Sequence, residues 1–220
     1  MQAYGLRAGV HYCVADGATT FLDVDADRYF GLPASCQEAF AYLVENGVAL
    51  DKHVRALAPL TAATLLVPTD IPERFPLPTI VPEVRESALD LIDARPSPWP
   101  FLRAWYCQAQ AKRDLSRKPL SQVLANLSNR KTGTGQNKVP PSSKILAAFL
   151  ETSIVTQTHD QCLRRSIAMV NYLAHYTCSP LFVIGVRNNP FEAHAWVQYD
   201  GMALNDDVEK IGRFTPILAI

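Results

Sequence analysis

The 220-residue sequence predicts an α+β fold divided between two domains. The first 80 or so residues show short strand patterns followed by helical patterns, and residues 162–206 show one helix followed by a hairpin. Between them, residues 68–100 contain eight prolines, which excludes a long helix or a central strand there. The sequence therefore predicts domains at residues 1–85 and 86–220, with a proline-rich linker at the boundary.

The N-terminal domain has the pattern of a small winged-helix-like arrangement. Asn46-Gly47 closes its first helix, because glycine adopts the left-handed conformation common at helix C-termini. The acidic turn at residues 23–27 precedes the third strand. The predicted elements are three strands, two helices and a returning strand, at residues 9–14, 19–24, 27–32, 36–47, from 51 onward, and 65–67.

Helices dominate the predicted middle of the chain. Trp99, Leu102, Trp105 and Tyr106 mark one face of a helix over residues 98–118, and basic residues gather at its C-terminal end. The remaining predictions are a short helix at 84–94, a helix starting at 119, a flexible loop at 130–143 and a helix at 144–155. The Gly-Thr-Gly of the loop lacks the rest of a phosphate-binding motif, so no nucleotide site is predicted.

Cys162 begins a helical pattern that extends to Tyr176. His159 and Asp160 suit the start of this helix, with Asp160 as a candidate N-cap. A thiol in the first turn lies among free backbone N–H groups at the positive end of the helix dipole, which favours the nucleophilic thiolate. Taken alone, a cysteine in an apolar helix is more often a small buried hydrophobe.

Two strands and a hairpin follow that helix. Residues 181–186 are a short apolar run, and residues 194–199 alternate in side-chain character before the Asp200-Gly201 turn. The predicted return strand, 202–206, would make Asp206 a cross-strand neighbour of His194. Cys162, His194 and Asp206 then predict a triad in which sulfur attacks a carbonyl, histidine moves the proton and the carboxylate orients the ring.

Backbone N–H groups at the start of the Cys162 helix are predicted to stabilise the oxyanion of this reaction. Gln157 and Gln161 are both candidates for an additional side-chain donor, and the sequence does not choose between them. Asp207 beside Asp206 is an alternative acid.

The chain order of cysteine, histidine and aspartate, on a helix and then two adjacent strands, resembles the papain/transglutaminase-like superfamily. The words CLRRSIAM, LFVIGV, HAWVQYDG and LND together resemble the leader peptidases of lasso-peptide biosynthesis, the B proteins of those gene clusters. The resemblance covers about the last third of the chain. Its Asn-Asp word favours Asp206 over Asp207. Gln198 departs from the family pattern, which often has glutamate there.

The N-terminal words TTFLDVDADRYFGLP resemble the PqqD-like recognition domain of fused lasso B proteins, although less specifically. This resemblance implies a groove between the third strand and the last helix, to which a leader peptide adds as an extra strand. The candidate groove residues are Tyr29, Phe30, Leu32 and Val54, although for any single one of them a place in the core is the more common role. Asp23, Asp25 and Asp27 are candidates for pairing with basic leader residues, and a solvated acidic turn explains them equally well.

The resemblance implies an endopeptidase that removes the leader of a lasso precursor peptide. An asparagine-synthetase-like cyclase would be the partner that forms the macrolactam, and ATP dependence would come through that partner, because no cofactor or metal is predicted for this chain. A transglutaminase- or acyltransferase-like enzyme is the alternative, since the same triad can transfer the acyl group to an amine. A third hypothesis is a peptide-binding adaptor without catalytic activity.

Composition limits the other classes of function. The net charge is zero, which argues against nucleic acid or an anionic membrane as the main partner. No apolar run is long enough for a membrane span, and the N-terminus lacks a signal-peptide pattern, so a cytoplasmic location is expected. Five cysteines without a Cys-x-x-Cys pair disfavour both a disulfide framework and a zinc site.

Overall fold

The computed structural model describes residues 1–70, 75–91, 97–133, 140–154 and 161–220. The chain divides into two compact units, Met1–Thr79 and Ile80–Ile220. Both units contain helices and strands, as expected of a mixed fold. The division into a recognition domain and a peptidase domain at residue 85 remains a prediction.

Unit 1 contains two three-stranded antiparallel sheets. One is a meander of β2 (Val10–Ala15), β3 (Ala18–Asp23) and β4 (Arg28–Gly31). The second sheet has the order β5-β1-β6 and comprises β1 (Gln2–Leu6), β5 (Val48–Ala49) and β6 (Leu66–Thr69). The three meander strands confirm the sequence prediction to within about one residue, whereas β1 was not predicted.

Two helices and an aromatic cluster complete unit 1. A short 3-10 turn, Ala34–Cys36, leads into α1 (Gln37–Asn46), and α2 is Asp51–Ala62. Gly47 closes α1 in the left-handed conformation, with φ of 72°, as predicted. Phe40 of α1 lies at the centre of the core, where it makes edge-to-face contacts with the rings of Tyr12, Phe21 and Phe75.

Unit 2 begins with short elements and continues into helices. They are β7 (Glu86–Ser87), α3 (Ala88–Leu91), α4 (Pro98–Arg117), α5 (Leu120–Gly133), α6 (Ser143–Ile154) and α7 (Cys162–Ala174). Helix α4 contacts α5, α6 and α7. Its buried positions are mostly small, which allows the close approach of these neighbours.

A five-stranded sheet with the order β11-β8-β9-β10-β7 supports the helices of unit 2. Its strands from β8 onward are β8 (Leu181–Asn188), β9 (Phe191–Tyr199), β10 (Met202–Ala203) and β11 (Thr215–Ala219), and α8 (Val208–Ile211) lies between the last two. Helix α7 packs against β8 and β9. The turn between β9 and β10 is Asp200-Gly201, with positive φ at both residues, as the hairpin signal predicted.

Three local predictions for unit 2 were wrong. The predicted helix at 84–94 is partly a strand, because β7 pairs with β10 and only Ala88–Leu91 is helical among its described residues. The predicted loop at 130–143 starts too early, because α5 continues to Gly133. The return strand at 202–206 is too long, since β10 ends at Ala203.

None of the helices in the described part of the chain combines the length and the apolar character needed to cross a membrane.

Candidate active site

Cys162 is the first residue of α7, and its side chain is partly exposed. Because α7 packs against β9, the start of the helix lies beside His194 and Ala195. The sulfur is hydrogen-bonded to the His194 ring and to the backbone N–H groups of Leu163 and Ala195. The predicted cap Asp160 and its neighbour His159 lie outside the described residues. The residue preceding the helix is Gln161, whose side chain makes no cap hydrogen bond.

His194 lies on β9 and is only 5% exposed. Its Nε2 is 2.5 Å from Asp206 Oδ2, which leaves Nδ1 for the Cys162 sulfur. The ring stacks on Phe214, with centroids 5.1 Å apart and planes inclined by 29°. Aromatic packing on one face and hydrogen bonds at the edges therefore determine the orientation of the imidazole.

Asp206 reaches His194 by a different route from the predicted one. In the β8–β9 ladder, the residue opposite His194 is Gly185, and β10 pairs only at Met202 and Ala203. The chain leaves the sheet after β10, so Asp206 approaches the ring from a connecting segment and not as a cross-strand neighbour. Asp207 is exposed at the start of α8, so only the first carboxylate of the doublet bonds the ring.

A buried polar network holds the segment before Asp206. Asn205 Oδ1 accepts a hydrogen bond from the Val197 N–H (2.8 Å), and Asn205 Nδ2 donates to Ser166 Oγ (2.9 Å). Ser166 Oγ in turn donates to the Ala195 carbonyl (3.0 Å). This network connects α7, β9 and the Asp206 segment. No sequence pattern indicated a role for Ser166, and the Asn-Asp word was the only hint of the network.

Burial and hydrogen bonding act in opposite directions on the three titrating groups. Burial alone would raise the pKa of the Cys162 thiol, but the bonds from His194 and the two N–H groups hold that pKa below its usual value. Burial also disfavours the imidazolium, yet Asp206 and Cys162 raise the pKa of His194 to about 9. Burial opposes ionisation of Asp206, but His194 and then Lys210 hold its pKa low. These directions favour a thiolate–imidazolium pair at neutral pH.

Only one of the two candidate oxyanion donors lies within the described residues. Gln157 lies outside the described residues. Gln161 is half-buried directly before Cys162, and its Oε1 accepts a hydrogen bond from Arg164. Gln161 is therefore the candidate donor whose position next to Cys162 is described.

Gln198 has a packing role that its position in the sequence did not indicate. Its Oε1 accepts from the Trp196 indole N–H and its Nε2 donates to the Pro82 carbonyl, both at 2.8 Å. An ionised glutamate could accept the first bond but could not donate the second. The amide therefore matches both neighbours in this chain.

The candidate groove residues of unit 1 have mixed environments. Tyr29 and Phe30 lie on β4, which is an edge strand of the meander. Phe30 and Leu32 pack against the unit 1 core, whereas Val54 on α2 is exposed. Asp23 and Asp25 form ion pairs with Arg7, and Asp23 also accepts two backbone N–H bonds within its own turn. Two of the three acidic residues therefore already have partners within unit 1.

Comparison with family models identifies a matching superfamily. A family model of the transglutaminase-like superfamily matches residues 105–219, slightly more than half of the chain. The chain belongs to the transglutaminase-like superfamily. The matched region contains Cys162, His194 and Asp206, and a cysteine protease or acyltransferase fold is typical of this superfamily. No curated protein and no solved structure matched the chain.

Metal ligation has no visible support at this site. Among the described residues, no group of three or more histidine, cysteine or acidic side chains is arranged to hold a metal ion.

The Gly185→Ala substitution is expected to disturb the candidate site of this superfamily member. A Cβ at Gly185 would lie 2.8 Å from Trp196 Cζ3 and 3.0 Å from Phe214 Cβ, and both rings pack beside His194. We expect a loss of about 1–3 kcal/mol in the free energy of unfolding, measured by urea titration, and slower alkylation of Cys162. Gly31→Ala on β4 is the control, because nothing lies within 4 Å of its added Cβ. Equal stability of both variants would contradict this account.

Proposed function

We propose that the chain is a cysteine endopeptidase that removes the leader of a lasso-peptide precursor. The observation that supports it best is the chain of contacts from the Cys162 sulfur through the His194 ring to Asp206. The sequence resemblance described above supplies the substrate class, and superfamily membership supplies the type of chemistry.

The first half of the proposed reaction forms a thioester. The Cys162 thiolate attacks the scissile carbonyl carbon, and the negative charge moves to the carbonyl oxygen. The backbone N–H of Cys162 at the start of α7 and the Gln161 carboxamide are the proposed donors to that oxyanion. As the C–N bond breaks, the imidazolium of His194 gives its proton to the leaving amine, which is the N-terminus of the core peptide.

The second half returns the enzyme to its starting state. His194, now neutral, takes a proton from a water molecule that attacks the thioester carbonyl. The C–S bond breaks, the leader leaves as a carboxylic acid, and the sulfur again pairs with the imidazolium. Asp206 stabilises the positive ring in the resting ion pair and again once the ring has taken the proton from water, and it keeps the N–H of Nε2 directed away from the sulfur.

Unit 1 is proposed to bind the leader. Because β4 is an edge strand of the meander, it is the proposed position for the added strand, and Tyr29, Phe30, Leu32 and Val54 are the proposed side-chain contacts. The proposed partner is an asparagine-synthetase-like cyclase, which would use the freed amine to form the macrolactam. Any requirement for ATP would arise in that partner, and the expected location is the cytoplasm.

The test of this function uses the full chain and the short precursor peptide encoded near its gene. Mass spectrometry should detect two products whose masses add up to that of the precursor plus one water. A Tyr29→Ala/Val54→Ala variant should raise KM for the precursor and leave unchanged the cleavage of a shortened peptide that keeps the residues around the scissile bond but lacks the rest of the leader. Absence of hydrolysis, with or without the cyclase and ATP, would reject the peptidase proposal.

Acyl transfer is the second candidate, because the superfamily includes acyltransferase folds. Both functions share the thioester, and they differ in what attacks it. Adding a primary amine to the same reaction should divert little of the leader into an amide if the enzyme is a peptidase. Amide as the main product would favour an acyltransferase, and precursor binding without either product would favour an adaptor.

The pH dependence of cleavage follows from the two shifted groups. Activity requires the Cys162 thiol deprotonated and the His194 ring protonated, so kcat/KM should rise through the lowered pKa of Cys162 and fall near pH 9. Alkylation of Cys162 by iodoacetamide should show the acid limb of the same profile without substrate. An alkylation profile with a single inflection near the pKa of a free thiol, about 8.5, would contradict the ion pair.

A further inference from the structure

Helix α4 exposes large apolar side chains on the face opposite its buried side. Its buried positions are Ala104, Cys107, Gln108 and Ala111. On the other side, Trp99 is 80%, Leu102 57%, Trp105 63% and Tyr106 58% exposed. Trp99, Leu102 and Tyr106, together with Tyr176 after α7, also line an open groove of about 590 Å³. Core packing therefore does not explain these four side chains.

The same exposed face changes character along the helix. Its N-terminal half is aromatic and aliphatic apart from Arg103, whose guanidinium lies over the Tyr176 ring, and its C-terminal half carries Lys112, Arg113 and Arg117, all exposed. At about 1.5 Å per residue, Trp99 and Arg117 lie roughly 27 Å apart along the axis. The two halves are chemically different surfaces of one helix.

We propose that this face, the α4 stripe (Trp99, Leu102, Trp105, Tyr106, Arg113 and Arg117), is the interface of a homodimer in which two α4 helices pack antiparallel. In that arrangement the aromatic half of each helix faces the basic half of its partner. Arginine guanidinium groups then lie against tryptophan and tyrosine rings, a contact that is favourable on both sides of the twofold axis.

Electrostatics selects the antiparallel orientation over the parallel one. Parallel packing would bring the two basic halves together in one region. Antiparallel packing places them at opposite ends of the interface, separated by more than the screening length of about 8 Å at physiological ionic strength. The self-complementarity thus arises from the order of aromatic and basic residues along α4.

The exposed apolar area suits a dimer of modest stability. Aromatic side chains bury about 150–250 Å² each, so the four apolar residues at these exposures amount to roughly 500 Å² per copy. Two copies give on the order of 1,000 Å², before the arginine stems are added, which reaches the lower range of specific interfaces. A patch of this size falls within the range of the largest apolar patch on a typical monomer, and such patches are often functional.

Sedimentation velocity of the full chain over a range of concentrations tests the proposal. The parent protein should form a concentration-dependent dimer, and Leu102→Glu should weaken the dimer roughly tenfold or more, because it places a carboxylate at an apolar contact. Ile80→Glu is the matched control, since Ile80 is a highly exposed aliphatic residue outside the stripe, and it should leave the dimer unchanged. Far-UV circular dichroism of both variants checks the fold.

Cross-linking tests the orientation of the two helices. Ser97→Cys and Ser116→Cys, each on a Cys162→Ala background, lie near opposite ends of α4. Oxidation of their mixture should give the 97–116 disulfide in preference to 97–97 or 116–116. A preference for the like pairs would overturn the antiparallel arrangement.

Two further results would overturn the homodimer. One is a protein that stays monomeric at every concentration. If that monomer binds phosphatidylglycerol vesicles through the α4 stripe, the stripe is a membrane-binding surface and not a dimer interface. The other is a dimer that Leu102→Glu does not affect.

Discussion

The Cys162→Ala protein is expected to lose cleavage activity by about 10⁴-fold or more, because removing the nucleophile eliminates the thioester route. Precursor binding should persist, since the proposed leader contacts lie in unit 1. The measurements are single-turnover cleavage of the precursor and its Kd by fluorescence anisotropy. Loss of cleavage with retained binding is the result that distinguishes a nucleophile from a residue needed only for folding.

Cys178→Ala is the matched control for that substitution. Cys178 is buried in the same unit, and burial raises the pKa of its thiol to about 11, so it is neither accessible nor ionised at neutral pH. We expect cleavage within a fewfold of the parent and no change in the iodoacetamide reaction of Cys162. Unchanged cleavage by Cys162→Ala would remove this sulfur from the mechanism.

The Asp206→Asn protein is expected to lose activity by roughly 10²–10⁴-fold with little change in fold. An asparagine amide can donate to Nε2 of His194, which would leave the ring proton on Nδ1, the nitrogen that faces the sulfur. A ring in that tautomer cannot accept the thiol proton. Without the carboxylate the pKa of His194 should fall from about 9 towards its ordinary value, and the acid limb of Cys162 alkylation should move to higher pH.

Asp207→Asn provides the comparison that separates the two acids of the doublet. Asp207 is exposed at the start of α8, so its replacement should change activity less than threefold and stability by only about 0.5 kcal/mol. A larger loss of activity in Asp207→Asn than in Asp206→Asn would show that Asp207, and not Asp206, has the proposed role. The alkylation profile of both variants gives an answer that is independent of substrate.

Local patterns in the sequence predicted much of the site. The helical periodicity after Cys162 predicted α7, and Asp200-Gly201 predicted the turn between β9 and β10. These signals depend on interactions within a few residues, so a single sequence contains them. The contact between His194 and Asp206 was also expected, although its predicted geometry was wrong.

Signals that depend on distant partners were missed. β1 is a five-residue strand that pairs with β5 and β6, more than 40 residues away, and contains a glycine. β11 lies on the edge of its sheet and contains Pro216 at a register irregularity. Because proline is uncommon in central strands, its sequence did not indicate a strand. The periodicity of α4 grouped its aromatic residues on one face but did not show which face is buried, because small residues form the other.

The side chain of Asn205 has a consequence for how this site is constructed. Where the return strand stops, its carboxamide oxygen takes the place of a main-chain carbonyl and accepts the Val197 N–H. The Asn205 side chain thus replaces a main-chain carbonyl, and the Val197 N–H keeps a hydrogen-bond partner at the end of the ladder. The liberated backbone can then turn towards the imidazole and deliver the next residue, Asp206, as its acid. Because β10 ends early, the following segment can place the Asp206 carboxylate beside the His194 ring.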